Sequence, residues 1–137
     1  MFKSLKKTMK DQRGLTLIEL LAVIVILGII SAIAVPSISG LISKTKDDAK
    51  VAEGIQIVNA AKLYVSSKTP ASGTVLTNAD LGAYLDSIDD ETYKVTVTES
   101  SGKYSYSLSV HESVALVDGI DKTTKDAAAS EKELLAY

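Results

Sequence analysis

Cysteine is absent from this chain, histidine occurs once and proline twice. Without a thiol and with His111 as the sole imidazole, the chain can build neither a His-Cys metal site nor a His-based catalytic triad. His111 follows a strand-like run and is expected to be a solvated or edge residue. Serines are plentiful, but none stands in the Gly-x-Ser-x-Gly turn of a nucleophile elbow. The residues therefore do not compose an enzyme, and no cofactor is implied. A small domain without a disulfide must hold together by its apolar core alone.

Formal charge is missing altogether from Leu20 to Ser43, a stretch of 24 residues. As a helix this run covers roughly 36 Å, enough to cross a hydrocarbon layer of about 30 Å. It is opened by Arg13-Gly14-Leu15-Thr16-Leu17-Ile18-Glu19 and reaches Pro36. A carboxylate at the mouth of such a span is costly, about 2.5–3.5 kcal/mol at full depth and less near the interface. Glu19 therefore asks for a partner. Residues 1–14 carry Lys3, Lys6, Lys7, Lys10 and Arg13 against Asp11, whereas the remainder holds 16 acidic and 10 basic side chains. The positive end is expected on the cytoplasmic side and the rest outside. An acidic remainder offers no uniform phosphate-binding surface, so direct nucleic-acid binding by the lone chain is not expected.

Gly14-Leu15-Thr16-Leu17-Ile18-Glu19-Leu20-Leu21, continuing through Ala22–Ile33 to Ala34-Val35-Pro36, resembles the start of type IV prepilins and pseudopilins. The matching block covers roughly residues 13–40, and the rest is similar to the family only in general layout. The family usually places phenylalanine after the glycine; here Leu15, another large apolar residue, takes that place. The resemblance implies cleavage after Gly14 by a prepilin peptidase on the cytoplasmic face and methylation of the new amino group on Leu15. It further implies an assembly role for Glu19, whose carboxylate meets the Leu15 amine of its own or a neighbouring chain. The interval from Gly28 to Pro36 is expected to kink or, as in assembled pilins of similar sequence, to melt. Two other readings compete. Ala32-Ile33-Ala34 has the small-x-small form of a signal-peptidase site, but Glu19 would then lie inside the apolar region, which also continues beyond it. A plain signal anchor would leave Gly14 and Glu19 as coincidences.

Downstream, one helix is expected from Leu15 to about Val65, interrupted only by Pro36. Val51, Ile55, Val58, Ala61 and Val65 recur at helical spacing and form one apolar stripe, while Gly54 weakens the helix without ending it. Ser66–Gly73 is a loop. Thr77 and Asp80 form an N-terminal capping pair for a short helix to about Leu85. Tyr93–Thr98 and Tyr104–Val110 alternate around a Ser100–Lys103 turn and predict an antiparallel hairpin. Its inner face would carry Tyr93, Val95, Val97, Tyr104, Tyr106, Leu108 and Val110 over the stripe. Val114–Val117 is expected as a third strand before an Asp118-Gly119 turn. The tail from Lys122 is expected as a short helix or a frayed end.

The fold class expected is α+β, a long N-terminal helix packed against a small antiparallel sheet. The expected domains are 1–14 as leader, 15–43 as the membrane or filament-core half of the helix, and 44–137 as a globular head. Asp86, Asp89, Asp90 and Glu91 form an acidic loop whose spacing does not match an EF-hand. It reads as solvated, with calcium the weaker alternative that the family resemblance raises. The tyrosines read as packing on the sheet. The function implied is that of a structural pilus subunit, inserted as a precursor, processed and polymerised. Its partners would be other copies and other pilins, the prepilin peptidase, the pilus assembly platform and membrane lipid. A pseudopilin of type II secretion or competence DNA uptake shares the same mechanics. A membrane-anchored extracellular binding module with an uncleaved anchor is the reading from another class. The missing disulfide, which many Gram-negative pilins possess, suggests a Gram-positive source.

Overall fold

The structure, a computed structural model, describes residues 2–117, 120 and 127–137, with side chains from Gly14 onward. The chain divides into two compact units, Met1–Ser43 and Lys44–Tyr137. Helix α1 spans Phe2–Lys68 with Pro36 inside it. In the first unit every described residue is helical. Between Leu15 and Ile42 aliphatic residues lie on all sides of that helix.

The second unit is α+β. Strands β1 (Thr74–Leu76), β2 (Lys94–Ser100), β3 (Lys103–Ser109) and β4 (Ala128–Ser130) form one sheet in that spatial order, each pair antiparallel. Among the described residues, two short helices, α2 (Asn78–Leu81) and α3 (Glu131–Leu135), and two single 3-10 turns, Gly82–Tyr84 and Glu112–Ala115, accompany it. The helix α1 stops for local reasons. Thr69 turns left-handed (φ 40°) and its N–H closes on the Val65 carbonyl at 2.9 Å, and Pro70 cannot continue the helix.

The hairpin forms as expected, with a tighter turn. Ser101 and Gly102 both have positive φ (55° and 80°), the geometry of a two-residue loop matched to the twist of the strands. This sets the register Val95↔Leu108 and Val97↔Tyr106. Val95, Val97 and Leu108 are buried together with Tyr93, whereas Tyr104 and Tyr106 are half-buried. Val110 is not part of the inner face. It lies past the end of β3, left-handed and 50% exposed. The capping pair also holds, with the Thr77 N–H donating to Asp80 Oδ2 at 3.0 Å. The short helix passes into the Gly82–Tyr84 turn and does not stay α-helical to Leu85.

The expected third strand is wrong. Val114 and Ala115 lie in the Glu112–Ala115 turn, with Val114 and Val117 buried in the core. An apolar run of four residues fits a buried turn as well as a strand, and periodicity cannot separate them. The outer strands are instead β1 and β4, three residues each. The Asp118-Gly119 turn lies outside the described residues. Of the tail, residues 122–126 lie outside the described residues, and 127–137 hold a strand and a short helix. Ser130 and Glu133 cap α3 reciprocally, with the Ser130 N–H donating to Glu133 Oε2 at 2.7 Å. Those Ser130 contacts, the hydroxyl first and then the backbone N–H, hold the Glu133 carboxyl below its usual range. An ion pair between Lys62 and Glu131 ties α3 to α1.

The stripe on α1 is broader than expected and rotated. Val51, Val58, Ala61 and Val65 are buried, but so are Gly54, Ile57 and Ala60, while Ile55 is only half-buried. Ile57 is fully buried at 0% exposure and joins the cluster of Leu76, Leu81, Val95, Leu108 and Leu134. Ile57→Ala is expected to destabilise the second unit by about 2–5 kcal/mol, and Ile55→Ala by clearly less. Urea unfolding of the fragment Lys44–Tyr137 and its two variants measures this. Equal losses at both positions would displace the seam from Ile57.

Candidate processing and assembly site

Gly14 to Pro36 lies wholly within α1. Helical geometry puts Leu15 and Glu19 four residues apart on one face, about one turn from each other. An amino group freed at Leu15 would therefore start within one helical turn of the Glu19 carboxylate. The large apolar side chains from Leu15 to Ile42 are between 49% and 72% exposed. So much contiguous apolar surface marks a segment that meets lipid or other protein. By length and composition this is also the one helix among the described residues that qualifies as a candidate membrane span.

Two hydroxyls in this segment, those of Ser39 and Ser43, are satisfied locally. Ser39 Oγ donates to the Val35 carbonyl at 3.1 Å and Ser43 Oγ to the Ser39 carbonyl at 3.2 Å. Such back-bonding lets serine sit in apolar surroundings without an orphaned donor. Pro36 has no N–H to offer the Ala32 carbonyl, and Gly28 lowers helix propensity upstream. The single chain nonetheless keeps Gly28–Pro36 helical. A Cβ added at Gly14 or Gly28 would meet nothing within 4 Å. Each glycine costs a helix roughly 1 kcal/mol against alanine, and close packing within the described chain does not account for either.

The acidic loop behaves as a structural element. Glu53 Oε1 accepts the backbone N–H groups of Asp89 and Asp90 at 2.9 and 3.3 Å, clamping the loop to α1. Asp90 Oδ1 accepts from the Thr92 N–H and hydroxyl at 2.9 and 2.6 Å. Burial pushes the Asp90 carboxyl up, but the Thr92 donors outweigh it and hold it below the usual range. Asp86, Asp89, Asp90 and Glu91 do not converge. Among the described residues no group of three or more His, Asp or Glu side chains is arranged to hold a metal ion.

His111 corrects the expectation of a solvated edge residue, being 4% exposed. It caps the Glu112–Ala115 turn, its Nδ1 accepting the Ser113 N–H at 3.1 Å. Ser113 is fully buried, and its Oγ would lie 2.5 Å from a Cβ placed on Gly54. Gly54 is thus the notch in α1 that admits this turn. A Glu-Gly pair inside an otherwise good helix was the one sequence signal of that close approach. It reads as a mere weakness until the partner is seen.

The comparisons bear on the N-terminal segment first. Residues 9–35 match the family model described as the prokaryotic N-terminal methylation motif. The match takes in Gly14, Glu19 and the uncharged run as far as Val35. It is similar to the type IV major fimbrial protein FimA of Dichelobacter nodosus (strain VCS1703A), 36% identical over 83 residues, covering 53% of this chain and 48% of that one. A fimbrial protein of Dichelobacter nodosus is 33% identical over 98 residues, 64% of this chain and 58% of its own. Fimbrial protein Q of Moraxella bovis is 42% identical over 79 residues, 54% and 49% respectively. The chain spans about half the length of the curated relatives it matches. Together the motif and these likenesses support the type IV prepilin family, and the relatives named are fimbrial proteins, not enzymes. No solved structure matches the chain. The Gram-positive source suggested by the missing disulfide finds no support in these matches.

Gly54→Ala is expected to destabilise the second unit by about 1–3 kcal/mol, even though alanine is the better helix former. Ser113 cannot retreat without giving up His111. Thermal or urea unfolding measures the loss, and a stabilised Gly54→Ala variant would mean that the turn does not press on α1.

Proposed function

We propose that this chain is the structural subunit of a type IV pilus-like filament. It is inserted in the membrane as a precursor, cleaved after Gly14 by a prepilin peptidase, and polymerised through its N-terminal helix. The observation that carries this reading is the Gly14-to-Glu19 spacing at the mouth of an uncharged apolar helix. The likeness to fimbrial proteins supports it. In the precursor, lipid covers the aliphatic surface of residues 15–43 with the basic leader held in the cytoplasm. In the filament, neighbouring helices replace lipid. The Leu15 amine, methylated after cleavage, then meets the Glu19 carboxylate, and truncating either partner leaves the other as an uncompensated charge in a low dielectric. Glu19 sets the stagger between subunits, and Leu17, Leu20, Leu21, Ile24 and Ile30 supply adhesion. Gly28 and Pro36 mark the interval that bends or melts when helices are packed side by side. The partners on this reading are further copies and other pilins, the peptidase and the assembly platform. The same N-terminal mechanics would serve a pseudopilin, and filament length separates the two.

Processing is tested first. Replacing Gly14 with a bulky residue is expected to leave full-length precursor in the membrane fraction. Mass spectrometry of the native subunit is expected to find methylated Leu15 as the first residue. A first residue at Val35 would establish the signal-peptide reading, and an intact leader the anchored-module reading.

Glu19→Ala separates insertion from assembly. It removes a charge from an apolar run, so membrane insertion is unharmed and cleavage proceeds. Mature subunit accumulates in the membrane while sheared surface filament falls to little or none. Abundant normal filaments from a strain whose only copy is Glu19→Ala would remove Glu19 from the mechanism.

A further inference from the structure

The ring nitrogens of His111 have different neighbours, and the backbone around the ring is under tension. The His111 side chain is 1% exposed. Its Nδ1 accepts the Ser113 backbone N–H at 3.1 Å and lies 2.7 Å from Ser113 Oγ. A backbone N–H cannot reverse its role, so Nδ1 is the bare nitrogen and Nε2 carries the proton of the neutral ring. Nε2 is buried without a hydrogen-bond partner among the described residues, and Glu53 Oε1 stands 3.8 Å away. Val110, the residue before, is left-handed at φ 64°. That conformation is strained for a β-branched side chain and persists only where the surroundings enforce it.

We propose that His111 is an acid-released latch that fastens the segment Val110–Val117 to α1 at Gly54. A proton added to the ring must go to Nδ1, because Nε2 already holds one. The acceptor of the Ser113 amide then becomes a donor, and two N–H groups face each other at the distance of the former bond. The Ser113 hydroxyl can rotate to accept from Nδ1, but the backbone amide beside it is left buried and unpaired.

The charged neighbours do not reverse this outcome. From α1 the ring faces Lys50 and Glu53, from the loop before β2 Asp89 and Asp90, and from its own turn Glu112; together these residues line one small cavity. Several of these carboxylates already hold partners of their own. Glu53 holds the Asp89 and Asp90 amides, Asp90 holds Thr92, and Glu112 pairs with Lys50 at 2.7 Å. Lys50 opposes a second cation. Proton uptake is therefore coupled to release. The latch holds while Nδ1 is bare and opens when Nδ1 takes up a proton. Opening relaxes Val110 and uncovers Val114 and Val117, both buried in the core when the latch is closed.

The full chain in detergent micelles, labelled with nitrogen-15, tests the proposal, because its single histidine gives an unambiguous signal. At about pH 7.5 the ring is expected as the Nε2–H tautomer, and the Ser113 and Val114 amides as protected. The comparison is H111N, whose side-chain oxygen can accept the Ser113 amide but takes up no proton. At about pH 5 the two amides are expected to exchange about tenfold faster in the wild type than in H111N, with the two proteins alike at about pH 7.5. Equal exchange at the lower pH, or slower exchange in the wild type, overturns the latch. Should asparagine fail to seat, the wild type decides alone. An Nδ1–H tautomer at neutral pH, or an imidazolium formed while Ser113 stays protected, overturns it equally.

Discussion

Between Val51 and Val65, α1 must serve as the floor of the second unit, and it does so with small side chains where other elements come closest. Gly54 admits the Glu112–Ala115 turn, and Ala60 and Ala61 are buried beside Ile57 and Val58. The sheet answers with Val95, Val97 and Leu108 on its inner face. The remaining elements add to the same cluster: Leu76 from β1, Leu81 from α2, Ala129 from β4 and Leu134 from α3. Without a disulfide, this single seam is what the unit rests on, so loss of volume at Ile57 and gain of volume at Gly54 both weaken it. The edge strands are three residues long, which leaves little unpaired backbone for unwanted pairing.

The two glutamates on α1 show how differently one side chain can be used. Glu53 sits beside the seam and spends its carboxylate on backbone: one oxygen receives the Asp89 and Asp90 amides and so fixes a loop that has no regular structure of its own. Glu19 is set among aliphatic side chains that are themselves exposed. The first is explained by contacts inside the unit. The second is explained, on the proposed function, by an amine that exists only after processing and by neighbours that exist only in a filament.

A similar contrast divides the glycines. Gly54 is required by a contact that can be measured in the single chain. Gly14 and Gly28 have open space where a Cβ would go. On the proposed function, a glycine that costs helix stability without admitting anything within the fold is accounted for by a peptidase and by close-packed helices, which lie outside the chain.

The N-terminal segment was legible in the sequence because its information is local. Charge depletion over one run, a glycine and a carboxylate at fixed offset, and a lone proline are properties of neighbouring residues. So were the hairpin, through period-two alternation, and the capping pair at Thr77 and Asp80. What could not be read was decided by residues distant in sequence. Val114–Val117 has the composition of a strand but was drawn into a turn by the notch at Gly54. Its place in the sheet went to Ala128–Ser130, three residues too small and too few to announce themselves. His111 looked solvated because it follows a strand-like run; the packing of its turn against α1 buries it. Local pattern fixes which face of an element is apolar, but only the packed structure decides which other element covers that face, because burial is a property of pairs.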